Sequence, residues 1–108
     1  VEAQLLDRRQ DRRYPFPVLM TLHSVDPDAS YAPQVIVGRD ICERGLGFFH
    51  PAPIPFRVGI VVCDLTDGRQ VAFEIDITWC RFARQGWYES GCRLLKTATP
   101  PQITHTAV

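Results

Sequence analysis

Val71-Ala72-Phe73-Glu74-Ile75-Asp76-Ile77-Thr78-Trp79-Cys80 is the stretch that decides the fold. Large apolar side chains occupy every second position. In a strand, successive side chains point to opposite faces. Val71, Phe73, Ile75, Ile77 and Trp79 are therefore assigned to a core, and Ala72, Glu74, Asp76, Thr78 and Cys80 to water.

Turn signals bracket this strand. Thr66-Asp67-Gly68 precedes it and follows the largely apolar Arg57–Leu65 strand. Gln85-Gly86 follows it and leads into a last strand, Trp87 to Leu95. Asp, Asn and Gly at such positions tolerate the backbone angles that hairpin turns demand. Upstream, Tyr14–Ser24 is aromatic and aliphatic, with Pro15 and Pro17 at its start, and Val25–Ser30 has loop composition. Pro33–Ile41 carries the β-branched run Val35-Ile36-Val37, and Leu46–His50 is a further short strand. Pro51, Pro53 and Pro55 impose an extended stretch that cannot donate to a central ladder.

Six strands with short turns and no convincing helix imply an all-β, six-stranded antiparallel barrel, whose closure removes exposed edges. The expected organisation is a flexible basic arm over 1–13, the barrel over 14–95 and an unstructured, disordered tail over 96–108. Pro100-Pro101 speaks against a helix after the barrel.

At 108 residues, with 45% hydrophobic and 22% charged side chains, the composition is that of one globular domain. No apolar run approaches the roughly 18–20 residues of a bilayer-spanning helix. The start lacks the ordered basic, apolar and cleavage segments of a secretory signal. A cytoplasmic location with no membrane insertion is expected. The chain opens on Val1 rather than Met, as a piece of something longer would.

Twelve basic and 12 acidic side chains cancel, which argues against bulk binding to long nucleic acid. The balance fails locally: Arg8, Arg9, Arg12 and Arg13 crowd one segment. That arrangement suits a small anion. Cys42, Cys63, Cys80 and Cys92 form no C-x-x-C pair and have no histidine at ligand spacing, so no metal site is expected. Cys63 reads as a buried small hydrophobe. Cys80 and Cys92 are candidates to face each other across a hairpin, with reduced thiols as the default.

Two further stretches carry chemistry. Asp7-Arg8-Arg9-Gln10-Asp11-Arg12-Arg13-Tyr14-Pro15 presents guanidinium forks that match phosphate oxygens and guanine edges. Asp40-Ile41-Cys42-Glu43-Arg44-Gly45 supplies a carboxylate able to accept the imino and amino hydrogens of guanine, then a glycine at a tight connection. Together they read as a pincer for a guanine nucleotide bearing phosphate.

These residues give the chain its resemblance to PilZ domains, the family that binds the bacterial second messenger cyclic di-GMP. The family pattern is R-x-x-x-R in an N-terminal arm, matched by Arg9 and Arg13, then D/N-x-S-x-x-G, matched by Asp40, Cys42 and Gly45. Tyr14-Pro15, Leu46-Gly47-Phe48 and Gly91-Cys92-Arg93-Leu94-Leu95 are similar to family members as well, so the likeness spans roughly residues 7–95.

The resemblance implies a PilZ-like barrel and a cyclic di-GMP receptor that couples nucleotide binding to arm ordering and to a protein partner. Arg9 and Arg13 would take guanine O6/N7 and phosphate, and Asp40 the opposite guanine edge. Gly45 would let the backbone approach, and Arg8 or Arg12 would add contacts if the nucleotide binds as an intercalated dimer. Arg8/Arg12 share the spacing of Arg9/Arg13; adjacency to Tyr14-Pro15 favours the latter pair.

The chain departs from the family at Cys42, where serine is usual and a thiol hydrogen-bonds more weakly. It also lacks the helix that many members carry after the barrel.

Two other readings stay open. One is a barrel of the same kind that has lost the nucleotide and serves as a protein–protein contact module. The other is a small-barrel binder of single-stranded nucleic acid. Trp79 and Trp87 read as core or hairpin-packing residues, and Glu74 and Asp76 as solvated. His23, His50 and His105 stand in unrelated contexts. No G-x-S-x-G and no G-x-x-x-x-G-K occurs, so catalysis is not expected.

Overall fold

A computed structural model describes residues 12–26, 28 and 31–101. Arg8, Arg9 and the rest of the arm before Arg12 lie outside the described residues, as do tail residues 102–108 and His105 among them. The strands are β1 (Tyr14–Pro15), β2 (Leu19–Ser24), β3 (Gln34–Ile41), β4 (Gly45–His50), β5 (Val58–Asp64), β6 (Gln70–Arg84) and β7 (Trp87–Ala98). Among the described residues there is no helix.

Every pairing is antiparallel. The ladder runs β3-β2-β5-β6-β7-β4, and β4 returns to pair with β3, closing a six-stranded barrel. The outer strand β1 lies on the end of β3, with Tyr14 opposite Ile41 and Pro15 opposite Asp40.

The expected Tyr14–Ser24 strand is therefore two strands. Pro15 and Pro17 cannot donate, and the chain bends between them. The Phe16 amide donates to the Arg39 carbonyl at 3.1 Å, and the Val18 amide turns back onto the Phe16 carbonyl at 2.8 Å. The bend fits because position 38 is glycine; a Cβ there would collide with the Phe16 carbonyl.

Both hairpin turns form where the sequence placed them. Gly68 has φ 90°, with its amide on the Leu65 carbonyl. Gln85 and Gly86 have φ 55° and 85° between the paired Arg84 and Trp87, the positive pair of a tight two-residue hairpin. β7 runs to Ala98, past Leu95.

Leu22, Ile36, Phe48, Val61 and Ile75 fill the interior. In β6, Val71, Phe73 and Ile75 pack with the core, but Ala72, assigned to water, is only 3% exposed, and past Ile75 the alternation breaks. The register shift at Ile77/Trp79 leaves Thr78 as an extra residue in β6 and rotates the side chains that follow. Two further assignments fall, that of Trp79 with this shift and that of Asp76 through its arginine partners.

Trp79 is 41% exposed, as is Trp87, so neither is a core residue. Asp76, assigned to water, is only 6% exposed. Its carboxylate accepts from Arg57 Nε at 2.6 Å, Arg57 Nη2 at 3.2 Å and Arg93 Nη2 at 3.2 Å.

The hydrogen bonds from Arg57, with those and the charge of Arg93, hold the Asp76 carboxyl below the usual carboxylate range despite its burial. The folded-state pKa thus lies under the unfolded value of about 4. Stability from this group is complete above that value and is lost as pH falls through the folded pKa. Urea midpoints measured against pH should fall below pH ~4 in the parent, and Asp76→Asn should start lower with a flatter acid limb.

Cys80 stands opposite Ser90 and Cys92 opposite Ile77, so these two do not face each other. All four cysteines are free thiols. Cys63 and Cys92 are buried, and burial pushes the Cys92 thiol up to about 12.

Candidate functional site

The end of β3, the outer strand β1 and the start of β4 meet at one corner of the barrel. Because β1 pairs with residues 40–41, the residue before it is carried to the Asp40 carboxylate. Arg13 Nε lies 3.3 Å from Asp40 Oδ1, and Arg13 Nη1 donates to Cys42 Sγ at 3.3 Å. The Cys42 amide donates to the Gly45 carbonyl at 2.9 Å, closing the turn. A Cβ on Gly45 would lie 2.9 Å from the Cys92 carbonyl and 3.9 Å from Arg13 Nη2. Glycine is required here by the neighbouring β7 backbone, while Arg13 stands at ordinary contact distance.

Four of the seven sequence-derived site residues, Arg13, Asp40, Cys42 and Gly45, thus converge. Arg12 is exposed beside them. Arg8 and Arg9 lie outside the described residues.

Arg39 was not among those seven. A regular strand would send it to the face opposite Asp40, but the register shifts between Gly38 and Asp40. The irregularity puts both side chains on the same face. Arg39 Nε lies 3.2 Å from Asp40 Oδ2, and Arg39 Nη1 is hydrogen-bonded to Glu89 Oε2. Arg81 Nη2 reaches Glu89 Oε1 at 2.9 Å. Arg13, Arg39 and Arg81, three guanidiniums, therefore share Asp40 and Glu89, two carboxylates. Arg39 and Arg81 also lie 5.8 and 5.5 Å from the centre of the Trp79 ring, within cation–π range.

The floor of this patch is bare backbone. Gly47 and Gly91 are cross-strand partners. A Cβ on Gly47 would stand 2.6 Å from Asp40 Oδ1 and 2.7 Å from Arg39 Nη2, and a Cβ on Gly91 would collide with the Trp79 indole. The corner thus offers a half-buried carboxylate held by Arg13 and Arg39, an excess of guanidinium donors and a half-open indole, all on one surface. Such a set has the donors and the ring face to hold a planar, hydrogen-bonding, anionic molecule.

His50 has a different role. It is fully buried; its Nδ1 donates to the Ala52 carbonyl at 2.8 Å, and Ser90 Oγ donates to its Nε2 at 2.7 Å. Burial lowers its pKa, so it packs as a neutral ring stacked on Tyr88. Ser90 is itself 0% exposed, which leaves this pair no approach for a substrate. Among the described residues no group of three or more His, Cys, Asp or Glu side chains could hold a metal ion. Compared with family models, curated proteins and solved structures, the chain matches none.

Proposed function

We propose that this chain is a cytoplasmic receptor module of the PilZ kind, which binds cyclic di-GMP without altering it and passes the signal to a protein partner. The observation that carries the reading is the meeting of Arg13, Asp40, Cys42 and Gly45 at one corner.

The chemistry follows from these groups. The Asp40 carboxylate accepts the N1 and N2 hydrogens of one guanine. The Arg13 and Arg39 forks address O6/N7 or phosphate, as such forks do bidentately. The exposed Trp79 ring, beside Arg39 and Arg81, gives a purine a surface on which to stack.

Arg13 is ion-paired to Asp40 without ligand. Its backbone therefore adds little to the ordering cost of binding, which is about 1–2 kcal/mol for each residue newly fixed. Charge-assisted contacts of about 1.5–3 kcal/mol apiece offset it. An affinity near micromolar, about −8 kcal/mol, is consistent with that balance.

Calorimetric titration with cyclic di-GMP, and separately with a single-stranded oligonucleotide, tests the proposal. Saturable heat from the dinucleotide, lost in an Arg9→Ala/Arg13→Ala double variant, supports it. Silence toward both ligands favours the protein-contact module, and heat from the oligonucleotide alone favours a nucleic-acid binder. Cys42→Ser should bind as tightly as the parent or up to roughly tenfold tighter, since a hydroxyl adds a hydrogen bond of about 0.5–1.5 kcal/mol. A clear loss of affinity in the same titration would mean that the sulfur itself is used.

A further inference from the structure

The outer face of the barrel carries an apolar row that neither the core nor the ligand corner uses. Met20, Ile36 and Phe48 are buried, so their chain neighbours Leu19, Val37 and Phe49 face outward. Register sets these three side by side across β2, β3 and β4, with Leu19 opposite Val37 and Val37 opposite Phe49. Leu19 is exposed, as is Val35 beside it on the same face.

Where the row meets the β6–β7 hairpin it deepens into a groove of about 460 Å³. Val37, Phe49, Ala83 and Trp87 make its lining apolar, and Arg84 and Gln85 supply its polar groups. A groove of this volume holds a few side chains of a partner. Contiguous exposed apolar surface with a polar rim marks a place of interaction.

Charge says what fits. Glu89 stands opposite Phe49, but Arg39 and Arg81 both hold it. Arg84 stands opposite Trp87, and among the described residues no carboxylate pairs with it. The groove therefore joins apolar walls to an unanswered positive charge. A second copy of the chain would add to that charge, because its exposed aromatics Tyr14 and Phe82 lie beside Arg12 and Arg13 and beside Arg81 and Arg84. A membrane would need apolar groups that protrude, whereas Trp87 lines a concavity.

We infer that this groove docks an acidic peptide segment of a protein partner, with an aromatic or leucine side chain between Phe49 and Trp87 and a carboxylate on Arg84. The groove borders the ligand corner. Val37 lies two residues before Arg39 on β3, and Glu89 stands between Phe49 and Arg81. Anions held on the two sides of that border repel, an effect that salt screens. Cyclic di-GMP at the corner thus expels the acidic segment, and the signal is release. The docking stands on the groove alone; the release rests on the cyclic di-GMP reading.

A phage-displayed random-peptide library panned on the whole chain supplies the probe, and the recovered peptides are synthesised for titration. They should combine Asp or Glu with one Phe, Trp or Leu. In NMR they should shift the Val37 and Ala83 methyls and the Trp87 indole proton. Their affinity should fall about tenfold or more in Trp87→Ala and in Arg84→Glu, as at an anchor residue of an interface. Saturating the parent with cyclic di-GMP should weaken them about fivefold or more, the lower end of usual coupling between sites, and less in high salt.

A library that yields no binder, binders without acidic residues, shifts away from the groove, or affinity unchanged in both variants overturns the docking. So does co-sedimentation of the parent with phosphatidylserine vesicles that Trp87→Ala abolishes, which would make the surface a membrane contact. A dimer in analytical ultracentrifugation that Trp87→Ala dissociates overturns it as well, in favour of a second copy. Peptide affinity indifferent to bound cyclic di-GMP overturns the release. Parent protein that takes the peptides but gives no heat with cyclic di-GMP sinks the receptor reading and leaves the docking intact.

Discussion

Cyclic di-GMP affinity is expected to fall roughly 10- to 100-fold when Arg13 is replaced by alanine, the loss of one charge-assisted contact of about 1.5–3 kcal/mol. Arg13 is the one described arm residue that touches both Asp40 and Cys42. Its removal takes away the fork and leaves the Asp40 carboxylate to Arg39 alone. Arg13→Lys should recover only part of the affinity, because an ammonium keeps the charge but lacks the planar pair of donors. Arg69→Ala is the matched control. Arg69 pairs with Asp67 in the exposed hairpin turn before β6, outside the ion pairs of Asp40 and Glu89. Calorimetry on the four proteins at two salt concentrations reads the comparison. An Arg13→Ala protein that binds like the parent would remove the main support for the receptor proposal.

Phe48→Ala is expected to produce the largest loss of stability, about 3–5 kcal/mol, as large-to-small changes at fully buried aromatic sites do. Phe48 is 0% exposed, at the centre of β4, the strand that closes the barrel between β3 and β7. Domains of this size have only about 5–15 kcal/mol in total. The melting temperature followed by circular dichroism should therefore drop by more than about 10 °C. Phe82→Ala, on the β6–β7 hairpin with Phe82 60% exposed, should change stability by no more than about 0.5 kcal/mol. Equal losses at the two sites would contradict the assignment of the core.

The barrel was legible because its strands and turns are written in local chemistry. Alternation in β6, Asp67-Gly68 and Gln85-Gly86 each act on their own neighbours; the structure follows both turns, and the alternation in part. The corner was legible in part, for the same reason: Asp40, Cys42 and Gly45 belong to one turn, and Pro15 brings Arg13 to it.

What escaped depends on register. Arg39 joins Asp40 only through an irregularity that a strict period of two cannot anticipate. Asp76 is buried only because Arg57 arrives from just before β5 and Arg93 from β7. Trp79 turns outward after the register shift that leaves Thr78 unpaired and comes to rest on Gly91. None of these signals is local. The one available hint was the pair of glycines at 47 and 91, in strands where glycine otherwise weakens packing.

Those two glycines constrain how such a surface can drift. The charged groups around them can be exchanged one at a time, each with a modest penalty. A methyl group at 91 is different, because it demands that the indole leave at once, and a methyl group at 47 displaces Asp40 and Arg39 together. In any lineage of related chains, position 91 should therefore stay glycine wherever position 79 is aromatic, and position 47 wherever the Arg39-Asp40 pair persists. Side-chain variety at either place would mark branches that have given the corner up.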